Sequence, residues 1–173
     1  IILIIFVIML TNTEENYLKA LFHLTKEIDG KTDAGTNEIA NYLNIKPASA
    51  NDMLKKLKEK KLVDFEKYGK VTLTNIGLNC ATQVIRKHRL WETFLYEKLH
   101  FSWDEVHEVA EQLEHIKSKK LIEQIDKFLE FPKNDPHGDP IPDVEGNINR
   151  QPKKLLIDVP INFEYKIITV KDK

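Results

Sequence analysis

The stretch Asn44-Ile45-Lys46-Pro47 constrains this 173-residue chain more than any other. Before it, Thr36 stands where a cap would open a short helix, NEIANYL, with Ile39, Ala40 and Leu43 on one side. Pro47 cannot sit inside a helix but suits a first turn, where its missing N–H is not needed. A second helix, PASANDMLKKLKEK, therefore opens there and turns Ala50, Met53, Leu54 and Leu57 inward. Two helices joined so tightly make a helix-turn-helix. Leu62 to Glu66 and Val71 to Thr74 then read as short strands around a Tyr68-Gly69 turn. The hairpin completes a winged helix. Upstream, Thr11 to Lys26 carries Tyr17, Leu18, Leu21, Phe22 and Leu24 at helical spacing. Thr13 is the start signal there, Asp29-Gly30 the end, and KTDAG a polar loop.

A winged helix places the early residues of its second helix against base edges in a major groove. Lys46, Ala48, Ser49, Asn51 and Asp52 take those positions; Asn51 has the amide that reads adenine. Lys55, Lys56 and Lys58, with Lys67 and Lys70 on the wing, are placed to hold phosphates. Between Lys46 and Lys70 there are eight lysines against Asp52, Glu59, Asp64 and Glu66, although the whole chain has a net charge of only −1. The alternative for a lysine run is a solvated helix face; the turn, Pro47 and the hairpin together favour DNA.

The second half has the opposite character. Asn75 begins a long helix through Leu99, and Ser102 or Asp104 caps a helix running from His107 to Ile116. His107, Glu111, Glu114 and His115 fall within about 100° of one another around that helix. His88 and Glu92 form a similar pair one turn apart on the long helix. Imidazoles and carboxylates on shared faces suit a divalent cation. Ser118 starts a further helix with Leu121, Ile122, Ile125, Phe128 and Leu129 on one side. These segments exceed what the core of a winged helix needs, which implies a dimerisation module.

From Pro132 to Pro152 the chain holds five prolines and two glycines, an irregular or mobile linker. Glu164 to Val170 alternates like a strand, too little to bury a core. The opening IILIIFVIML is shorter than the roughly 20 residues of a membrane span, and no basic region precedes it. Met9 is the first methionine, so residues 1–10 are expected to be an extension of the gene model, a short hydrophobic anchor being the alternative. A single cysteine, Cys80, excludes an internal disulfide framework and fits the cytoplasm.

TEENYL, the winged helix, RKHRLWE, VHEVAEQLEH and PHGDPIP, taken in that order, resemble the DtxR/MntR family of metal-dependent transcriptional repressors. The resemblance covers roughly Thr13 to Pro142. It implies a homodimer that binds Mn(2+) or Fe(2+) and then operator DNA. It also implies a primary site of Glu111, Glu114, His115 and Asn16, and an ancillary site of His88, Glu92 and His107. Asn16 stands where the family has Met or Asp, with Glu15 as a possible substitute. Lys19 stands where binuclear manganese sensors have Glu, and Glu111 where iron sensors have Cys. The all-oxygen and imidazole set leans toward manganese.

The implied fold is mainly α with a small β-hairpin wing. The expected order is a hydrophobic leader (1–10), a winged-helix DNA-binding domain (11–75) and a helical metal-binding and dimerisation domain (76–131). A linker (132–152) and the beginning of an incomplete SH3-like, FeoA-like β domain (153–173) follow. Two other readings stay in play, a winged-helix regulator not controlled by metal and a small helical metallohydrolase. The latter would need an open coordination position and a general base, and the chain has no nucleophile motif.

Overall fold

A computed structural model of the chain describes residues 9–27, 31–66, 69–149, 156–165 and 167. It divides into two compact units, one through Val84 and one from Ile85 onward. Among the described residues, no helix is long and apolar enough to cross a membrane.

In the first unit α1 spans Asn12–Lys26. Its cap is Thr11, not Thr13, because the residue three places on must reach back to close a capping box. Glu14 N donates to Thr11 Oγ1 at 3.2 Å, and Thr11 N donates to Glu14 Oε2 at 2.9 Å. Lys60 Nζ lies 2.6 Å from Glu14 Oε1. Burial pushes the Glu14 carboxyl up, but Lys60 and Thr11 together hold it below the usual range. Tyr17, Leu18, Leu21 and Phe22 are buried against the rest of this unit.

Next come β1 (Ala34–Gly35), α2 (Thr36–Tyr42) and α3 (Pro47–Glu59). Gly35 is the N-cap of α2 and no side chain caps it, so Thr36 opens the helix without capping it. Asn44 takes a left-handed φ of 52° in the turn, a conformation that asparagine tolerates. Pro47 sits in the first turn of α3, as its chemistry requires. Ala50, Leu54 and Leu57 are buried there, while Met53 is half-buried. Strands β2 (Val63–Phe65) and β3 (Lys70–Leu73) pair antiparallel, and β1 adds to the far side of β3 in the order β1-β3-β2. The segment read as a polar loop therefore contributes a strand. Asp33 helps dock it, its Oδ2 lying 3.0 Å from Lys70 Nζ.

Helix α4 spans Asn75–Leu99. At its start Gly77 N donates to Thr74 Oγ1 at 3.0 Å. The second unit holds the rest of α4 together with α5 (Val106–Leu113) and α6 (Lys119–Phe128). Its core is Leu90, Trp91, Leu95, Val106, Ala110, Ile125, Leu129 and Ile141. Two expectations about α5 need correction. Its N-cap is Glu105 with no side-chain cap, because Ser102 Oγ donates to Glu105 Oε2 at 2.5 Å instead of capping the helix, and Asp104 does not cap it either. The helix also ends at Leu113, with Glu114 as C-cap, so it stops short of Ile116. Ser118 does cap α6, accepting from Leu121 N at 3.3 Å.

The proline-rich stretch is irregular but anchored from Asn134 to Pro142. Asn134 and Pro140 form an isolated bridge. Arg86 Nη1 donates to Pro142 O at 2.6 Å and Arg89 Nη1 to Pro140 O at 2.7 Å. Asp126 holds the other arm of Arg86 at 2.6 Å. Proline supplies no N–H but leaves its carbonyl free to accept, and two arginines of α4 use that. Among the described residues 156–165 there is one 3-10 turn, Leu156–Asp158, and no strand. Most of the strand read over Glu164 to Val170 lies outside the described residues, as does most of the hydrophobic leader.

Candidate metal centre

Three elements of the second unit converge on one cluster. Helix α4 supplies His88 and Glu92 from adjacent turns. Helix α5 supplies His107 and Glu111, again one turn apart, and its C-cap supplies Glu114. Although Glu114 lies past the helix end, its φ of −61° and ψ of −19° keep it on the helical course. The third element is the anchored stretch, which brings Asp135 and His137.

His88 is the hub. Its Nδ1 lies 2.6 Å from Glu114 Oε2, and its Nε2 lies 2.9 Å from Glu92 Oε1 and 3.2 Å from His107 Nδ1. His107 Nδ1 is 3.2 Å from Glu92 Oε1, and its Nε2 is 3.4 Å from Glu111 Oε1. On the other edge of Glu92, Oε2 faces His137 Nδ1 at 3.8 Å. His137 Nε2 donates to the Trp103 carbonyl at 3.2 Å, and the Trp103 ring packs edge-on against the imidazole. Asp135 Oδ1 accepts from the backbone N–H groups of His137 and Asp139, both at 2.9 Å.

Among the described residues, three groups of donor atoms are close enough to share an ion. They are His88, Glu92 and His107; His88, Glu111 and Glu114; and Glu92, Asp135 and His137. Glu92 is 2% exposed and Glu114 is fully buried. Carboxylates this deeply buried are costly unless a cation faces them. Burial pushes Glu92 up, yet hydrogen bonds from His107 and His88 more than offset it and hold the carboxyl well below its usual range. Asp135 goes the other way. Burial, and then the negative charge of Glu92, push it up to about 6, against the Asp139 N–H and Arg89. Buried carboxylates pushed apart in this way are a pattern that functional sites share with structural ion-pair networks. A set of carboxylate oxygens and imidazole nitrogens fits a hard-to-borderline divalent ion such as Mn(2+) or Fe(2+).

The sites implied by the sequence are distributed unevenly over this cluster. His88, Glu92 and His107 come together as one group. Glu111 and Glu114 come together with His88, while His115 meets Glu114 Oε1 only at 3.8 Å and stands outside all three groups. Asn16 belongs to α1 in the first unit, where its Oδ1 is buried without a hydrogen-bond partner. Sequence reasoning did not single out Asp135 and His137 as ligands. The signal was a histidine flanked by aspartates in DPHGD, read as part of a linker and, within PHGDPIP, as a family motif, but not as a source of ligands.

On the first unit, Lys46, Ala48, Ser49 and Asp52 at the start of α3 are exposed and Asn51 is half-buried. Lys55, Lys56 and Lys70 are exposed as well; Lys55 lies 3.5 Å from Asp52. Lys58 lies over the Phe65 ring, 5.2 Å from its centroid. Lys67 lies outside the described residues.

Comparison with known proteins agrees with both halves. Residues 9–71 match the N-terminal DNA-binding domain of iron-dependent repressors, and residues 74–143 match their metal-binding and dimerisation domain. An HTH-type transcriptional regulator of Methanocaldococcus jannaschii is 34% identical over 116 residues, which is 67% of this chain and 91% of that protein. The diphtheria toxin repressor of Corynebacterium jeikeium is 29% identical over 79% of this chain. A manganese-dependent transcriptional repressor solved in complex with manganese superposes with a TM-score of 0.76 at 38% identity, over 85% of this chain. The chain spans 55% of the length of the toxin repressor and 66% of the manganese repressor.

Proposed function

Because the chain belongs to the DtxR/MntR family of metal-dependent transcriptional repressors, we propose that it is activated by Mn(2+) or Fe(2+) to bind operator DNA as a homodimer. The observation that carries this reading is the convergence of α4, α5 and the Asn134–Pro142 stretch on buried His88, Glu92 and Glu114, in a chain that also holds a winged helix. Glu111, Glu114 and His115, with Asn16 as the first-helix donor, form the primary site. His88, Glu92 and His107 form the ancillary one. A bound cation supplies the positive charge that these carboxylates lack.

Metal affinity and DNA affinity are then reciprocally coupled. The α3 residues Lys46, Ala48, Ser49, Asn51 and Asp52 meet the bases, and Lys55, Lys56, Lys67 and Lys70 meet phosphates. Phe128 and Phe131, both more than half exposed, and Leu99 offer apolar surface for a partner copy. The domain division is residues 11–75 for DNA and 76–131 for metal and dimer contacts, with the work done in the cytoplasm. The family consists of repressors, so the hydrolase alternative has no place. Gel shift with and without Mn(2+) tests the reading. Wild type should need the metal, and Glu111→Ala or His115→Ala should stay folded while losing the response. A full response in either variant would remove that residue from the primary site.

A further inference from the structure

We propose that Lys60 and Tyr17 are positioning residues for base reading, fixing the two ends of α3 to the start of α1. This rests on the reading that α3 meets the bases, and adds what holds it at a set angle. Lys60 is the C-cap of α3, and its Nζ lies 2.6 Å from Glu14 Oε1. At the other end the Tyr17 hydroxyl donates to the Ser49 carbonyl at 3.5 Å, a long hydrogen bond. Ser49 stands two residues before Asn51, in the turn assigned to the bases.

The other supports of α3 do not fix its direction. Its buried side chains are Ala50, Leu54 and Leu57, and apolar burial is not directional. Its N-cap, Lys46, makes no side-chain cap hydrogen bond. Ser49 and Lys60 lie about 16 Å apart along the helix. A tilt of about 5° moves one end against the other by about 1.4 Å, whereas a recognition side chain must be held to about 0.5 Å. Two directional contacts so far apart resist that tilt, where a single one would act as a pivot.

Glu14 divides its work between its two oxygens. Oε2 accepts from Thr11 N at 2.9 Å and closes the cap of α1, which leaves Oε1 for Lys60. Removal of the Lys60 charge therefore spares the α1 cap. Tyr17 is buried, so Tyr17→Phe keeps the packed ring and deletes only the contact made by the hydroxyl. The competing role for Lys60 is a phosphate contact, like that assigned to Lys55 and Lys56. The two roles differ in what they change. A phosphate contact strengthens binding to every sequence and steepens its salt dependence, while a positioning residue acts on the choice between sequences.

The probe is a duplex selected from a random-sequence pool by the Mn(2+)-loaded full chain, set against a shuffled duplex. Fluorescence anisotropy at several salt concentrations reads both, and circular dichroism confirms that each variant is folded. Lys60→Met should lower the selected-to-shuffled affinity ratio by about tenfold, the order of one loosened base contact, with the salt slope unchanged. Lys60→Arg, which brings a positive charge to Glu14, should keep the wild-type ratio. Tyr17→Phe should lower the ratio as Lys60→Met does. If Lys60→Met instead weakens both duplexes by one factor and makes the slope shallower by about 1, Lys60 is a phosphate contact and the proposal is overturned. An unchanged ratio in either variant removes that residue from the role. If wild type selects no sequence from the pool, the reading of bases by α3 falls as well.

Discussion

His137 turns Nδ1 toward Glu92 Oε2 at 3.8 Å while its Nε2 donates to the Trp103 carbonyl. The carbonyl puts the ring proton on Nε2, so a neutral His137 presents a lone pair to a carboxylate. Two acceptors facing each other favour a cation between them. Mn(2+) should therefore draw the Asn134–Pro142 stretch toward α4 and protect the Lys133 peptide bond from trypsin. His137→Ala should abolish the protection. Equal cleavage of Lys133 with and without Mn(2+) would remove this stretch from the site.

The metal-free protein should also show an unusual pH dependence at Asp135. Its folded pKa is raised to about 6 from an ordinary 3.8. The folded state thus holds this proton more tightly than the unfolded chain, and the contribution to stability is fully present below about pH 3.8. It is lost as pH rises toward 6. At about 1.4 kcal/mol per pH unit the loss is on the order of 1–3 kcal/mol. Glu92 has the opposite sign. Its lowered pKa stabilises the fold above about pH 4.5 and fades in acid, so it does not mimic the Asp135 effect between pH 4 and 6. Asp135→Asn keeps an oxygen for the His137 and Asp139 N–H groups but cannot ionise. In urea melts without metal it should exceed wild type in stability at pH 7 and match it near pH 4. A difference that is constant across this range would contradict the assignment.

Much of this was legible in the sequence because each signal was local. The helix-turn-helix follows from Pro47 and the Ala50, Leu54, Leu57 spacing, and the wing from strands on either side of Gly69. Helical spacing also gathered His88 with Glu92 and His107 with Glu111. What escaped needed a partner far along the chain. A two-residue strand at Ala34 has no alternation to read; its identity comes from pairing with Val71. Asp135 and His137 become candidate ligands only because Arg86 and Arg89 hold the carbonyls of Pro142 and Pro140 against α4. The caps failed for a related reason. Thr11 outcompetes Thr13 because Glu14 can answer it, whereas Ser102 is occupied by Glu105 and cannot cap α5.

The lysines of α3 predict a salt dependence. Each phosphate contact releases counterions, so log affinity falls with log salt at a slope of about −0.9 per contact. Lys56→Ala should weaken Mn(2+)-loaded binding to operator and to random DNA by similar factors and make the slope shallower by about 1. Asn51→Ala should instead reduce discrimination between the two and leave the slope unchanged. Fluorescence anisotropy at several salt concentrations separates these outcomes. An unchanged slope in Lys56→Ala would take that lysine off the phosphate backbone.

Gly77 ties the start of α4 to Leu62, the residue before β2, more closely than any side chain would allow. A Cβ built there would lie 1.9 Å from the Leu62 carbonyl oxygen and 2.9 Å from its carbonyl carbon. That carbonyl is fixed, since it accepts from Thr74 N at 3.1 Å, and Thr74 Oγ1 caps the turn by accepting from Gly77 N. Relief must come from backbone movement, because the obstacle is main chain and not the end of a flexible side chain. Gly77→Ala gains helix propensity of about 1 kcal/mol, an effect far smaller than such a clash. The balance should be a loss of about 2 kcal/mol or more, seen as a fall in Tm of at least about 4 °C for a chain of this size. Because the residue lies in the unit that carries the winged helix, DNA binding should weaken as well. A Tm equal to or above that of wild type would show that α4 can withdraw from Leu62 at little cost.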